Sequence, residues 1–217
     1  MLERLLPLFQ EDGINKLNNA TVAVVGVGGV GGICAITLAR SGVGTIIIQD
    51  YDTVEESNIN RQVVANYNTI GKSKVDVLYN QIKEINPNCN VIKLNSFFDK
   101  DNLSLFSYNI DYIIDAIDSF DSKCFLIESC ITRNINFISS MGAAKKLDPT
   151  KVQITKLHKT SYDPLAKKIR NKFKNNDFYV VSSTEEAKCN ELGSYTGVVS
   201  IFGIYAAHYV IMKIIGE

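Results

Sequence analysis

The sequence lacks the paired cysteines that mark a structural zinc site. Its five cysteines are odd in number, and no two of them stand in a Cys-x-x-Cys spacing. A four-cysteine zinc site therefore has no ligand set. Unpaired cysteines without a recognisable export signal predict reduced thiols. The cysteines are Cys34, Cys89, Cys124, Cys130 and Cys189, and we expect the first four to serve packing.

Export and membrane signals are also scarce. The chain starts Met1-Leu-Glu-Arg, with no basic region followed by a long apolar run, so we expect a cytoplasmic protein. One long apolar stretch spans residues 197–215, but Ser200, Gly203 and Lys213 interrupt it. This pattern predicts a buried helix rather than a membrane span, and we expect no membrane partner.

The formal net charge of zero conceals one strongly basic segment. Residues 145–175 contain ten lysines or arginines and two aspartates, with no glutamate. Such a segment is typical of a protein that binds a polyanion. A solvated surface explains the same charge, and on charge alone it is the favoured explanation.

Strand and helix patterns alternate along the first two thirds of the chain. Short β-branched runs predict strands at 21–25, 45–50, 91–94, 112–115 and 137–140, and amphipathic spacing predicts helices at 33–40, 72–85 and 122–133. Alternation of this kind predicts an α/β fold with a Rossmann-like, mainly parallel sheet and helices on both faces.

The pattern changes after residue 141. Strands are predicted at 152–157 and 179–182, outside the simple alternation, with a short basic helix at 167–173 and the apolar helix at the end. With 46% hydrophobic residues, the chain has enough apolar surface for one core. We therefore expect a single domain, with a core at 1–141 and a smaller appended C-terminal lobe at 142–217.

A glycine loop separates the first predicted strand from the first predicted helix. It contains Gly26, Gly28, Gly29 and Gly31, which permit a tight turn and a close approach of phosphate to free backbone N–H groups. Asp50 ends the next strand, where a carboxylate accepts hydrogen bonds from ribose hydroxyls. These features predict a nucleotide site, and both NAD and ATP satisfy them.

Polar side chains after neighbouring strands favour ATP over NAD. The carboxyl ends of parallel strands meet at one edge of a sheet, so the side chains that follow them converge there. Cations suit a triphosphate and a carboxylate suits magnesium. Gly71-Lys72-Ser73 is not a P-loop, because Asn66 stands where the first glycine is required. The converging residues are Asp50, Asn58, Arg61, Lys74 and Asp118.

Taken together, these motifs resemble a known superfamily. Gly-x-Gly-Gly-x-Gly, Asp-x-Asp, Ser-Asn-x-Asn-Arg-Gln, Gly-x-x-Lys and Asp-x-x-Asp are similar to the ThiF, MoeB and ubiquitin-activating proteins. Within that superfamily, the chain resembles the tRNA threonylcarbamoyladenosine dehydratases, the TcdA/CsdL family. That resemblance is carried by the sequences at 39–44, 85–89, 115–119, 139–144 and 148–150.

The resemblance implies a single ThiF-type adenylating domain that uses ATP and Mg²⁺. The implied reaction is the ATP-dependent dehydration, by cyclisation, of N6-threonylcarbamoyladenosine in tRNA through a carboxyl-adenylate. The implied partners are tRNA, a second copy in a homodimer, and a cysteine desulfurase or sulfur-acceptor system. The basic segment at 145–175 would then hold the tRNA backbone.

The same resemblance implies a role for each motif residue. Gly26 to Gly31 and Asp50 hold the adenosine, with Asp52 and Gln62 as further nucleotide-binding candidates. Asn58, Arg61 and Lys74 hold phosphates, and Asp118 holds magnesium near the α-phosphate. Arg4 corresponds to an arginine that reaches into the partner's site in such dimers.

Three other functions are compatible with parts of the sequence. Adenylation of the C-terminus of a sulfur-carrier or ubiquitin-like protein would use the same site, although the absent zinc cysteines and the basic segment argue against it. A NAD-dependent oxidoreductase would leave Arg61, Lys74 and Asp118 without a role. A catalytically inactive RNA-binding scaffold would not need the intact nucleotide motif.

Cys189 is a candidate nucleophile, because relatives that transfer substrate to a thiol carry a cysteine in this region. The segment at 183–193 is shorter than in typical dehydratases, and Cys189 does not align cleanly with that cysteine. Intramolecular ring closure needs no enzyme nucleophile.

Overall fold

Seven strands and six helices make up the computed structural model, which describes residues 1–217. The strands are β1 (Thr21–Val25), β2 (Thr45–Asp50), β3 (Asn90–Asn95), β4 (Tyr112–Asp115), β5 (Asn136–Ser140), β6 (Val152–Lys156) and β7 (Tyr179–Ser183). The helices are α1 (Leu6–Asn19), α2 (Gly29–Arg40), α3 (Lys74–Ile85), α4 (Phe120–Arg133), α5 (Pro164–Lys172) and α6 (Thr196–Ile215).

All seven strands form one sheet in the order β3-β2-β1-β4-β5-β7-β6. Every neighbouring pair is parallel except β6 and β7, which are antiparallel. From β1, the chain adds β2 and β3 on one side of β1, and β4 then pairs with the other side of β1. The strand order therefore reverses between β1 and β4, and ligands of open α/β sheets bind at such a point.

The strands of the C-terminal segment extend this sheet instead of starting a second one. β7 pairs in parallel with β5 through Ser139 and Val180, and β6 then closes the edge. Val180 and Val181 are fully buried, so β7 needs cover on both faces, as an interior strand has. The predicted α/β fold class with its mainly parallel sheet is confirmed.

Helices cover both faces of the sheet. On one face α1, α2, α3 and α6 pack around Val22, Val24, Ile46 and Ile48, and on the other α4 and α5 pack against the remaining strand side chains. Alternate residues along each strand thus enter different cores, as the period of two in a strand requires.

The apolar helix α6 packs along α2. It is long and apolar enough to cross a membrane by length and composition, with a mean hydropathy of 1.8. Its Gly203 lies so close to α2 that an added Cβ would stand 2.3 Å from the carbonyl oxygen of Val30. Phe202, Ala206 and Val210 are fully buried in the main core, so α6 is a core helix along this face, as its sequence predicts.

Four helices begin two or more residues from the predicted position, among them α4, which starts at Phe120 instead of residue 122. α2 starts at Gly29, four residues early, because its first turn is made by the glycine loop itself. α3 starts at Lys74 rather than Lys72, because Ser73 forms a β-bridge with Thr53. α5 starts early, at Pro164. Proline suits the first position of a helix, because an N–H group there would have no partner within the helix.

The cysteines are all free, as expected. Cys34, Cys89, Cys124 and Cys130 are buried, and burial raises the pKa of the Cys89 thiol to about 11. A raised thiol pKa makes the thiolate scarce at neutral pH, which suits a packing role. Cys189 alone is exposed.

Candidate active site

A cavity of about 470 Å³ opens where the strand order reverses. We call it the edge cavity, because the carboxyl ends of β1, β2 and β4 form its floor. Nine of the residues predicted to form the site line it: Gly26, Gly28, Gly29, Asp50, Asp52, Arg61, Gln62, Lys74 and Asp118. The sequence motifs, spread over about ninety residues of chain, therefore meet in one place.

The glycine loop brings backbone N–H groups to the floor of the cavity. Gly26 has φ +84°, and an added Cβ would lie 2.7 Å from the carbonyl oxygen of Ala116. Gly28 caps α2 without any side-chain hydrogen bond, so the N–H groups of the first turn of α2 are left for a ligand. Free N–H groups and the helix dipole together form an anion-binding site.

Asp50 holds the glycine loop in position. Its Oδ2 accepts from the backbone N–H of Val27 at 2.7 Å, and its Oδ1 accepts from that of Asp52 at 2.9 Å. Each carboxylate oxygen has a second lone pair, so Asp50 keeps the capacity to accept from ribose hydroxyls. One side chain thus orients the phosphate-binding loop and faces the ligand space.

Two cationic side chains, Lys74 and Arg61, line the cavity and differ in how many of their donor groups are already bonded within the protein. Lys74 is only 6% exposed and its Nζ lies 2.7 Å from Oδ2 of Asp52. Arg61 donates through one terminal nitrogen, Nη1, to the carbonyl oxygen of Ser57 and to Oδ1 of Asn60, both at 2.9 Å. The other guanidinium nitrogens of Arg61 have no protein acceptor, so they are available to a phosphate.

Carboxylates concentrate around the Tyr51 phenol at the mouth of the cavity. Asp52 raises the pKa of Tyr51 most, followed by burial and then by Asp118 and Asp50. Asp118 is exposed, lies three residues after the last residue of β4, and forms no salt bridge. It is therefore the carboxylate with the most freedom to meet a cation. No group of three His, Cys, Asp or Glu side chains is arranged to hold a metal by itself.

Comparison with known proteins places this chain in a family. The model of the ThiF family matches residues 2–217. The chain belongs to the ThiF family.

Two relatives of this ThiF-family chain are tRNA threonylcarbamoyladenosine dehydratases. The Bacillus subtilis protein is 47% identical over 165 residues, which are 76% of this chain and 65% of the relative. The Escherichia coli protein is 40% identical over 179 residues, which are 82% of this chain and 66% of the relative. The chain thus spans just under two thirds of the length of these relatives.

A solved structure of the Escherichia coli dehydratase, TcdA in complex with ATP, has the same fold. It matches with a TM-score of 0.91 at 36% identity, over 96% of this chain and 91% of the other. The resemblance inferred from the motifs is therefore confirmed at the level of family and fold.

Three predicted site residues of this ThiF-family chain lie outside the edge cavity. Asn58 is buried and its Oδ1 accepts from the N–H of Glu55, which closes a capping box on the short helix at 56–58. Gly31 lies behind the loop, where an added Cβ would stand 1.8 Å from the carbonyl oxygen of Gly26. Both support the site from behind. Arg4 is exposed in an N-terminal turn whose Leu2 packs on Gly42, away from the cavity.

Sequence reasoning missed two walls of the cavity. One follows β3 and consists of Ser96, Phe97 and Phe98. The other comes from the C-terminal part of the chain and includes Gly142, Ala143, Ala144, Leu165, Leu192, Ser194 and Val199. The Met-Gly-Ala-Ala run at 141–144 was the available signal, because small residues let a ligand approach the backbone.

The segment at 184–195 joins β7 to α6 along the rim of the cavity. Backbone bonds from Lys145 to Gly193 and from Lys188 to Lys145 hold it, and Asn60 donates to the carbonyl oxygen of Ser194 at 2.8 Å. Cys189 lies on this segment but does not line the cavity, and its Sγ lies 3.2 Å from the carbonyl oxygen of Glu191. No side-chain base is hydrogen-bonded to this thiol, as the base of an activated nucleophile would be.

Proposed function

We propose that this chain uses ATP to dehydrate N6-threonylcarbamoyladenosine in tRNA, through a carboxyl-adenylate. The observation that carries the proposal is the meeting of an anion-binding glycine loop, Arg61, Lys74 and Asp118 in the edge cavity. The names of the relatives and the ATP complex of the Escherichia coli protein support it.

The first step joins the threonyl carboxylate to AMP. A carboxylate oxygen attacks the α-phosphorus of ATP, the bond to the bridging oxygen breaks, and pyrophosphate leaves. Arg61 and Lys74 stabilise the negative charge that builds on the phosphate oxygens, and the free N–H groups of α2 add hydrogen bonds. Lys74 must share its charge with Asp52, whereas Arg61 keeps nitrogens free for phosphate.

The second step closes a ring within the same side chain. The carbamoyl group attacks the activated acyl carbon, loses one proton, and expels AMP, so that one water is lost overall. Activation is required because a free carboxylate is a poor electrophile and AMP is a good leaving group. Both reacting groups sit on one molecule, which supplies the proximity that an enzyme nucleophile would otherwise provide.

The residues present suit a magnesium ion held largely by the nucleotide. Mg²⁺ is usually bound through one or two carboxylates together with substrate phosphates, and Asp118 is the exposed, unpaired carboxylate of the cavity. Bound there, the ion would offset charge on the phosphate oxygens.

We propose that the C-terminal part of the domain presents the tRNA, which makes 1–141 the nucleotide-binding core and 142–217 the substrate-facing lobe. Helix α5 supports this division. Its first turn places Leu165 in the wall of the edge cavity, and its lysines Lys167, Lys168 and Lys172 are exposed. Phosphates bound along α5 would thus lie beside the nucleotide.

We also propose a cytoplasmic homodimer with no membrane association. Leu6 and Leu8 in the N-terminal segment are 43% and 74% exposed, and a second copy would cover them. Arg4 lies in the same exposed segment, so such a dimer would allow it to act in the partner's site. A cysteine desulfurase or sulfur acceptor as a further partner is a prediction from the resemblance alone.

The test is to incubate the chain with ATP, Mg²⁺ and tRNA that carries threonylcarbamoyladenosine, and to weigh the released nucleoside by mass spectrometry. We expect a loss of one water that requires ATP and is absent in Arg61→Ala. Cys189→Ser should react like the unchanged chain. An unchanged nucleoside, with adenylation of a carrier-protein C-terminus instead, would reject the tRNA assignment in favour of the carrier-protein alternative.

Neutralising the exposed lysines of α5 should weaken tRNA binding. Each phosphate contact contributes roughly 0.7–0.9 to the slope of log affinity against log salt, so Lys167→Gln, Lys168→Gln and Lys172→Gln together should lower the slope by about 2 to 3. Fluorescence anisotropy with labelled tRNA at several salt concentrations measures this.

The matched control carries Lys16→Gln, Lys100→Gln and Lys213→Gln, which are also exposed but lie outside the basic segment. Its slope should stay within experimental error of the unchanged chain. An equal decrease of the slope in the two triple variants would show that tRNA binding depends on overall charge. It would contradict the proposal that α5 is the binding surface.

A further inference from the structure

A fully buried ion pair lies beneath the loop that carries Asp118. Lys123 in α4 donates to Oδ2 of Asp115, the last residue of β4, at 2.8 Å, and both side chains are 0% exposed. Ser139 in β5 donates to the same oxygen at 2.5 Å. The other carboxylate oxygen of Asp115 accepts from the backbone N–H of Ile117 at 3.1 Å. We call Asp115, Lys123 and Ser139 the buried triad.

Stability alone does not account for this arrangement. The surroundings are apolar, with the fully buried Leu126 and Cys130 on α4 and Ile113 on β4. Two buried charges lose their hydration, and hydrophobic side chains of similar volume in their place are often as stable or more stable. A charged group at such a position is therefore better explained by the geometry that it imposes.

All bonds of the buried triad end on elements that frame the edge cavity. The bond to Ile117 fixes the loop at 116–119, whose four residues all line the cavity. Ser122, next to Lys123, lines it as well. The same loop supports the glycine loop, because Gly26 packs directly against the carbonyl group of Ala116. A displacement of this loop would therefore move Asp118 and the phosphate-binding backbone together.

We propose that Asp115 and Lys123 are positioning residues, which hold the Asp118 loop in the geometry needed for adenylation. They act through Ile117 and touch neither substrate nor nucleotide. Misplacing a reacting group by about 1 Å can cost on the order of a hundredfold in rate, even when the change lies away from the chemistry. The inference rests on the proposed function for the identity of the reaction but concerns only the local order of the loop.

The decisive variant replaces the ion pair by an apolar pair, Asp115→Leu with Lys123→Met. We expect its unfolding midpoint in urea to equal or exceed that of the unchanged chain. We expect kcat to fall by roughly ten- to a hundredfold, while KM for ATP changes by less than about threefold. The backbone amide of Ile117 should exchange with deuterium faster, since it has lost its acceptor.

Ser139→Ala is the milder variant, in case the double substitution does not fold. It keeps the ion pair, removes one donor, and should give a smaller fall in kcat in the same direction. Ile127→Val is the matched control, because it trims a fully buried side chain of α4 that packs in the cluster with Ala166 and Ile169 of α5 and forms no bond to the triad. It should lower stability without changing kcat or the exchange of Ile117.

The outcomes separate this inference from the proposed function. If the apolar pair folds, turns over like the unchanged chain, and leaves exchange at Ile117 unchanged, the positioning role is rejected. If the unchanged chain does not act on the modified tRNA, the proposed function is rejected. In that case, the positioning role is tested by deuterium exchange of the Ile117 amide alone, in the apolar-pair variant compared with Ile127→Val.

Discussion

Replacing Asp118 by asparagine should lower the rate of dehydration by about 10² to 10³, the range seen when one preorganised electrostatic group is lost from an active site. Asparagine keeps the shape of the side chain but removes the negative charge that suits a cation beside the phosphates. The binding of AMP, which we expect to depend mainly on the glycine loop and Asp50, should change little. Single-turnover rates and calorimetry with AMP measure the two effects separately.

Asp121→Asn is the matched control for this prediction. Asp121 lies on the first turn of α4, three residues after Asp118, and is exposed, but it does not line the edge cavity. Its replacement should leave the rate within about twofold, since the Asp121 carboxylate does not line the edge cavity and exposed charges are screened by solvent. Similar losses in both variants would assign the effect to overall charge and would contradict a specific role for Asp118.

Replacing Gly31 by alanine should damage both the fold and the nucleotide site. The added Cβ would lie 1.8 Å from the carbonyl oxygen of Gly26, far inside contact distance. This oxygen is a backbone atom, so it cannot move aside as a side chain could. Either the glycine loop or the first turn of α2 must move. We expect a loss of about 3 kcal/mol in the free energy of unfolding. The affinity for AMP should fall by about tenfold or more, because the displaced N–H groups no longer point at phosphate.

Gly32→Ala tests whether the effect belongs to this one contact. Gly32 is the next residue in α2, and its added Cβ would meet Cγ1 of Val63 at 3.0 Å, a side chain that can shift. Alanine also favours the helix by up to about 1 kcal/mol over glycine, which offsets the crowding. Urea unfolding and calorimetry should find Gly32→Ala close to the unchanged chain. If Gly31→Ala behaves equally well, the close packing behind the loop is not essential.

The pairing of Lys74 with Asp52 suggests how the cavity responds to a nucleotide. The lysine is nearly buried and its charge is balanced within the protein, whereas the guanidinium of Arg61 is half-exposed with free donors. A triphosphate entering the cavity would compete with Asp52 for Lys74. Until a phosphate is bound, the ion pair with Asp52 holds the Lys74 ammonium at the wall of the cavity.

Much of the site was determined by the sequence itself. The glycine loop, Asp50 and Asp118 stand at or shortly after predicted strand ends, and parallel strands bring their carboxyl ends to one edge wherever they lie in the chain. Arg61 follows in the connection from β2 to α3, and Lys74 is the first residue of α3. Strands β1, β2 and β4 were predicted with the bounds that the structure has. Local patterns are sufficient to predict these strands and loops, because the alternation of apolar side chains and the position of turn glycines are properties of short segments.

Only the tertiary structure decided which elements complete the cavity. Strands β6 and β7 join the main sheet, and α6 packs on α2, because long-range burial and not local propensity selects the partner of an apolar surface. That packing places Leu165, Leu192 and Val199 in the cavity wall. Asn58 lies outside the cavity because it closes a capping box, and Gly31 because it packs behind the glycine loop. The contacts of the buried triad were also decided only by the tertiary structure. No spacing in the sequence indicates that Lys123 in α4 or Ser139 in β5 contacts Asp115. Contacts of that kind depend on the positions of whole elements, which the sequence specifies only through the folded core.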